Sequence, residues 1–155
     1  MNIVDLPDGN GATPVELNCA DFGGTQLSLP NGDRVTYLCP TAGQASLVHL
    51  DNADGALPAA LPADAVFMSA MQTTLTQGAI EQRLTSGNLE ISFVIPVDMI
   101  GFDVAILYWD GSAWSDLSTT AFGDGRLVFG GGMKTEDGRF EATTNFPGTF
   151  VLVRK

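Results

Sequence analysis

The chain has 155 residues, 45% of them hydrophobic and only 16% charged, with 18 acidic against 7 basic side chains and a formal net charge of −11 at pH 7. That length fits one domain able to bury roughly two-thirds of its unfolded surface, and the apolar content excludes intrinsic disorder. The negative charge repels nucleic acid and anionic membrane, and no apolar run approaches the roughly 20 residues a bilayer-spanning helix needs. No nucleic-acid partner and no membrane insertion are expected.

The chain opens with "MNIVDLPDGNGATPVELN", which has neither the basic n-region nor the apolar h-region of a signal peptide. Few lysines, many Thr and Gly, and the acidic balance point to an exported protein, extracellular or at the cell surface, read here as a processed form whose signal peptide has been removed. Residues 1–18 read as an extended N-terminal arm on a single domain spanning 1–155. Cys19 and Cys39 lie twenty positions apart with no CxxC pair and no nearby His. One disulfide is expected rather than a zinc site, the alternative being two buried free thiols.

Turn signals recur along the chain: "PDGNG" at 7–11, "PNGD" at 30–33, "DNADG" at 51–55, "WDGS" at 109–112, "GDG" at 123–125 and "EDG" at 136–138. Asn-Gly and Asp-Gly supply the positive φ angles that tight hairpin turns demand. Between them lie strand-length segments such as "TQLSL", "RVTYLC", "ASLVHL", "RLVFG", "RFEATT" and "TFVLVRK". In "NLEISFVIP", Leu89, Ile91, Phe93 and Ile95 line one face. About ten short strands predict an all-β fold, an antiparallel β-sandwich with Greek-key-like connections, with a closed barrel as the alternative.

Residues 64–84, "DAVFMSAMQTTLTQGAIEQRL", also place Phe67, Ala70, Met71, Thr74 and Leu75 at helical spacing behind Asp64 as an N-cap, so there is room for one short helix; the Thr-rich middle favours strand. "ALPAALPADA" at 56–65 shifts composition and stiffens the chain with Pro58 and Pro62. The part before it holds too few strands for a core of its own, which argues for one domain.

Chemistry is sparse. His49, the only histidine, sits in the strand-like "SLVHL" and reads as structural. Asp8, Asp33, Asp54, Asp110, Asp124 and Asp137 stand beside Gly in turns, where a side-chain-to-backbone hydrogen bond is sufficient reason for them. "DLPDGNG" and "DNADG" bunch oxygen ligands, so calcium is a possible cofactor on Asp5, Asp8, Asn10, Asp51 and Asp54, although neither loop has EF-hand spacing. An intramolecular isopeptide bond would need a buried lysine beside a carboxylate or amide. Lys134 in "GGGMKTEDG" and Lys155 at the last position fit that pattern poorly. No enzymatic constellation is found, and the chain is read as non-catalytic.

In "AILYWDGSAW", a turn centred on Gly111 and Ser112 sets Trp109 opposite Trp114; one centred on Asp110 and Gly111 makes them diagonal neighbours. Tyr108, Trp109 and Trp114 could form a platform for sugar rings, or the aromatics could be core. "LEISFVIPVDMIGFDVAILYWDGSAWSDLS" followed by "GRFEATTNFPGTFVLVRK" resembles a β-sandwich module that recurs in large secreted and cell-surface bacterial proteins, over about residues 62–155. The resemblance implies a non-catalytic module.

In "TFVLVRK", Phe150 and Leu152 point one way and Val151 and Val153 the other, so both faces are apolar and must be covered, by the domain itself or by a neighbouring subunit. The expected function is therefore an extracellular structural protein that associates with copies of itself into a filament or surface layer, with strand exchange through the N-terminal arm as one route. The alternative is a carbohydrate- or calcium-dependent binding or adhesion module, with polysaccharide as partner.

Overall fold

A computed structural model describes residues 2–7, 14–17, 23–39, 43–52, 55–76, 89–117, 130–144 and 146–155. Among them are twelve strands: β1 (Asn2–Asp5), β2 (Val15–Glu16), β3 (Thr25–Ser28), β4 (Arg34–Tyr37), β5 (Gln44–Leu50), β6 (Val66–Thr76), β7 (Leu89–Val94), β8 (Val104–Trp109), β9 (Trp114–Asp116), β10 (Gly130–Lys134), β11 (Arg139–Thr144) and β12 (Gly148–Arg154). They form two open six-stranded sheets, ordered β1-β3-β4-β7-β11-β10 and β2-β5-β6-β12-β8-β9. Every pairing is antiparallel except β1 with β3. The sheets are open, so the closed-barrel alternative is set aside.

Hairpins β3–β4, β8–β9 and β10–β11 turn at the Asn-Gly and Asp-Gly signals, where Gly32, Gly111 and Gly138 take positive φ. The stretch with helical spacing is the longest strand, β6, and residues 77–84 of it lie outside the described residues. Its β-branched Thr73, Thr74 and Thr76 suit a pleated sheet better than a helix. Among the described residues the only helical turn is a 3-10 turn at Val97–Met99.

The alternation read from β7 holds: Leu89, Ile91, Phe93 and Ile95 are buried and Glu90 is exposed. They join Leu27, Val35 and Phe140 of the first sheet and Leu47, Met71, Ile106, Phe150 and Leu152 of the second in one apolar cluster. Both sheets therefore turn a face to the same core. The N-terminal segment is less of an arm than expected, because β1 lies along β3 and β2 along β5 of the same chain. Residues 8–13 between them lie outside the described residues.

Two polar ties cross from sheet to sheet. At one end the buried Tyr37 hydroxyl on β4 lies 2.7 Å from Thr73 Oγ1 on β6, and Thr73 donates to the Ser46 carbonyl at 2.8 Å, which leaves the tyrosine as the donor. Burial pushes the Tyr37 hydroxyl pKa well up, so it stays a donor. At the other end Asp33, 2% exposed, accepts from Ser69 Oγ at 2.6 Å, from the Val94 amide at 2.9 Å and from Asn31 Nδ2 at 3.1 Å. A buried carboxylate without such donors would be prohibitively desolvated. Gly24 takes φ +96° beside β4, where a Cβ would stand 2.0 Å from the Tyr37 carbonyl oxygen, so only glycine permits that approach.

The faces turned away from the core differ. On the first sheet Arg139 donates to Ser92 Oγ (3.0 Å) and to the Gly32 carbonyl (2.7 Å), while Ser92 donates to Glu141 (2.9 Å) and Arg34 approaches Glu141 at 3.7 Å. That face is polar. On the second sheet Ala70, Ala105, Leu107, Val151 and Val153 are buried under Leu57, Leu61 and Trp114.

Candidate functional site

The outer face of the second sheet gathers the aromatic hairpin, the covering segment and two cavities, and it starts from the turn after β8. Asp110 Oδ1 accepts from the backbone amides of Ser112 (2.8 Å) and Ala113 (2.7 Å), and the Asp110 amide donates to the Ala113 carbonyl at 3.1 Å. With Gly111 at φ +101°, this closes a tight turn centred on Gly111 and Ser112 that sets Trp109 opposite Trp114. The ring centroids are 5.2 Å apart with planes inclined at 61°, an edge-to-face pair.

That geometry bears directly on the sugar-platform reading. Inclined rings present no common plane, and Trp114 is engaged from above: its Nε1–H donates to the Ala60 carbonyl at 3.0 Å. Tyr108 does not join the pair. Because side chains alternate along a strand, it points into the core, buried, 5.1 Å from the Phe150 ring, with its hydroxyl donating to the Pro147 carbonyl at 3.2 Å. Burial, reinforced by the Asp110 charge, raises its pKa. Trp109 and Trp114 are each half-buried.

Comparison with known protein families, characterised proteins and solved structures finds no match. The site is therefore read from its own geometry.

The segment 55–65 runs over β6, β12 and β8 and places Leu57, Leu61 and Ala65 on their outer face. It leaves two open cavities. One, of about 530 Å³, lies within the segment itself and reaches Phe67. The other, of about 310 Å³, is lined by Pro62, Asp64 and Ala65 on one side and by Ala105, Leu107, Val153, Asp116 and Lys155 on the other. Lys155 Nζ meets Asp116 Oδ2 there at 2.9 Å. Solvent reaches both groups, at 46% and 22% exposure, so nothing strips the charges that amide formation would require stripped. The pair is an ion pair. Lys134 instead donates to the carbonyls of Ile100 (2.9 Å) and Phe102 (2.8 Å).

The proposed calcium ligands are not brought together among the described residues. Asp5 is exposed on the edge strand β1, and Asp51 is exposed beyond β5, 3.1 Å from His49 Nε2; Asp8, Asn10 and Asp54 lie outside the described residues. No group of three or more His, Cys, Asp or Glu that could hold a metal is found among the described residues. Cys39, half-buried after β4, is not a free thiol, and Cys19 lies outside the described residues. His49 is half-buried on β5, facing Asn31 Nδ2 at 3.5 Å as well as Asp51, a position that supports the turn at Asn31–Asp33. Ser69 donates to Asp33 rather than to His49, so no nucleophile-and-base pair forms from these residues.

What sequence reasoning missed is Asp33. It stands in "PNGD", where an Asp has an ordinary turn role, and only the approach of β6 and β7 makes it a cross-sheet tie.

Proposed function

We propose that this chain is a non-catalytic extracellular β-sandwich module, of the kind built into secreted and cell-surface bacterial proteins, that works by associating with copies of itself. The observation that carries the reading is the connection from β7 to β8, which crosses between the sheets with Val97 88% exposed, Phe102 46% and Ile100 43%. Lys134 ties this connection to the edge strand β10, where Met133 is 68% exposed. Large apolar side chains held out in a folded connection favour a contact over open water. The proposed disulfide between Cys19 and Cys39 would suit an oxidising compartment.

Self-association through this end has more support than strand exchange, since Asn2–Asp5 already pair with β3. The carbohydrate alternative draws on Trp109 alone, because Trp114 is committed to the covering segment and Tyr108 to the core. The test is analytical ultracentrifugation over a wide concentration range. Wild type should associate as concentration rises, and Val97→Asp with Phe102→Asp should remain monomeric, with a stability loss no larger than about 0.5–1 kcal/mol from the Arg154 guanidinium that lies 4.9 Å over the Phe102 ring. A strict monomer at the highest concentrations would overturn the proposal.

A further inference from the structure

We propose that the self-contact is closed and two-fold: two copies meet through the same surface, the Val97–Phe102 connection, with Asp98 of each copy beside Lys134 of the other. The inference rests on the self-association reading and fixes its symmetry. Six large apolar side chains stand exposed among the described residues. Val97, Ile100 and Phe102 sit on the connection, and Met133 adjoins Lys134, which reaches that connection through the Ile100 and Phe102 carbonyls. Val66 on β6 faces Arg154 of β12, whose guanidinium lies 4.9 Å over the Phe102 ring, so it borders the same end of the molecule. Only Ile3 stands elsewhere, on β1 at the opposite edge of the first sheet from β10. A head-to-tail contact joins two different patches and can grow without limit, whereas a two-fold contact uses one patch twice. With the exposed apolar side chains gathered at one end and Ile3 by itself, the described surface offers no second patch for a head-to-tail partner.

The charges on this surface supply an independent argument. Asp98 is exposed in the 3-10 turn of the connection and makes no ion pair among the described residues. Lys134 turns two of an ammonium's three donors to backbone carbonyls and likewise meets no carboxylate among the described residues. A carboxylate and an ammonium on one surface, unpaired within their own chain, become two ion pairs when a two-fold axis sets that surface against itself. The net charge of −11 drives copies apart elsewhere, so opposite charges are needed where the contact forms. The apolar side chains at this end are far fewer than the roughly 20–30 residues a standard interface takes from each partner, so the dimer is a weak one.

The experiment is sedimentation equilibrium of the full chain over a wide concentration range at constant ionic strength. The mass should rise from one chain to two and level there. A mass that climbs past two chains would overturn the two-fold contact while leaving self-association standing; a single-chain mass throughout would overturn both. Asp98→Asn removes both ion pairs at once and should raise the dimer dissociation constant about two- to thirtyfold, the scale of two exposed pairs, with an unchanged thermal midpoint. Glu16→Gln makes the same charge change at the other end of the second sheet, where Glu16 stands beside Gln44 and Gln44 beside Thr76; it should leave the constant unchanged or slightly lower. Neutralising any carboxylate relieves repulsion between acidic copies, so the two readings of Asp98 differ in sign. An Asp98→Asn variant that dimerises as tightly as wild type, or more tightly, would overturn the proposal.

Discussion

Replacing Asp33 tests the claim that one buried carboxylate holds the sheets in register. In Asp33→Ala the Ser69 hydroxyl and the Val94 amide both lose their acceptor, and a buried donor left unpaired costs roughly 1–3 kcal/mol. The loss should therefore be about 2–6 kcal/mol, a large part of the roughly 5–15 kcal/mol a domain has in total. With a urea m-value of about 2 kcal/mol/M, that lowers the unfolding midpoint by about 1–3 M.

Asp33→Asn should behave differently. Burial is the largest influence on Asp33 and raises its pKa above 3.8, outweighing the hydrogen bonds from Ser69, Val94 and Asn31 that lower it. A group whose folded pKa is raised contributes stability that is complete below its unfolded pKa and is lost as pH rises through the folded value. Wild type should thus lose stability from this group as pH climbs from about 3.8, and the neutral amide should not. The difference between wild type and Asp33→Asn should be most unfavourable to the amide at low pH and shrink towards neutrality. Tryptophan fluorescence during urea unfolding at several pH values reads both effects. An Asp33→Ala midpoint within about 0.3 M of wild type, or an Asp33→Asn difference that grows with pH, would refute the reasoning.

Trp114→Phe keeps an aromatic ring over Leu107 and Val151 but removes the bond to Ala60; it should cost about 0.5–1.5 kcal/mol by urea unfolding and leave binding to insoluble glycans unchanged, whereas a platform role predicts the reverse pattern. Tyr37→Phe removes the donor to Thr73 while Thr73 keeps its bond to Ser46; a loss of about 1–1.5 kcal/mol in the same assay is expected, with a more tolerant register detectable as faster hydrogen exchange in β4 and β6.

Local chemistry made much of this fold legible. The positive-φ glycines at 32, 111 and 138 close hairpins where Asn-Gly and Asp-Gly stand, because that backbone geometry is written in two residues. The burial of Leu89, Ile91, Phe93 and Ile95 follows from alternation alone. Gly55 also takes positive φ, yet "DNADG" opens the long covering segment instead of a tight hairpin, since a turn signal fixes a dihedral and not the destination of the chain. The facing of Tyr108 away from Trp109 was implicit in strand alternation. Asp33 was not readable, because its partners Ser69 and Val94 are 36 and 61 positions distant.

The doubly apolar strand β12 explains why the covering segment has its composition. Val151 and Val153 would stand in water without cover, and burying each contributes roughly 1.5–3 kcal/mol. A helical cap is not needed: a cover made of Ala, Leu and Pro can lie close to the sheet, while Pro58 and Pro62 lack the N–H groups that would let it add as a strand. Cover therefore comes from the same chain, and the apolar character of β12 no longer requires a neighbouring subunit. With the first sheet's outer face occupied by the Arg139, Ser92 and Glu141 network, the Val97–Phe102 connection is where the proposed self-association would have most to gain. The proposed self-contact would therefore run through this connection between the sheets and not across a sheet face.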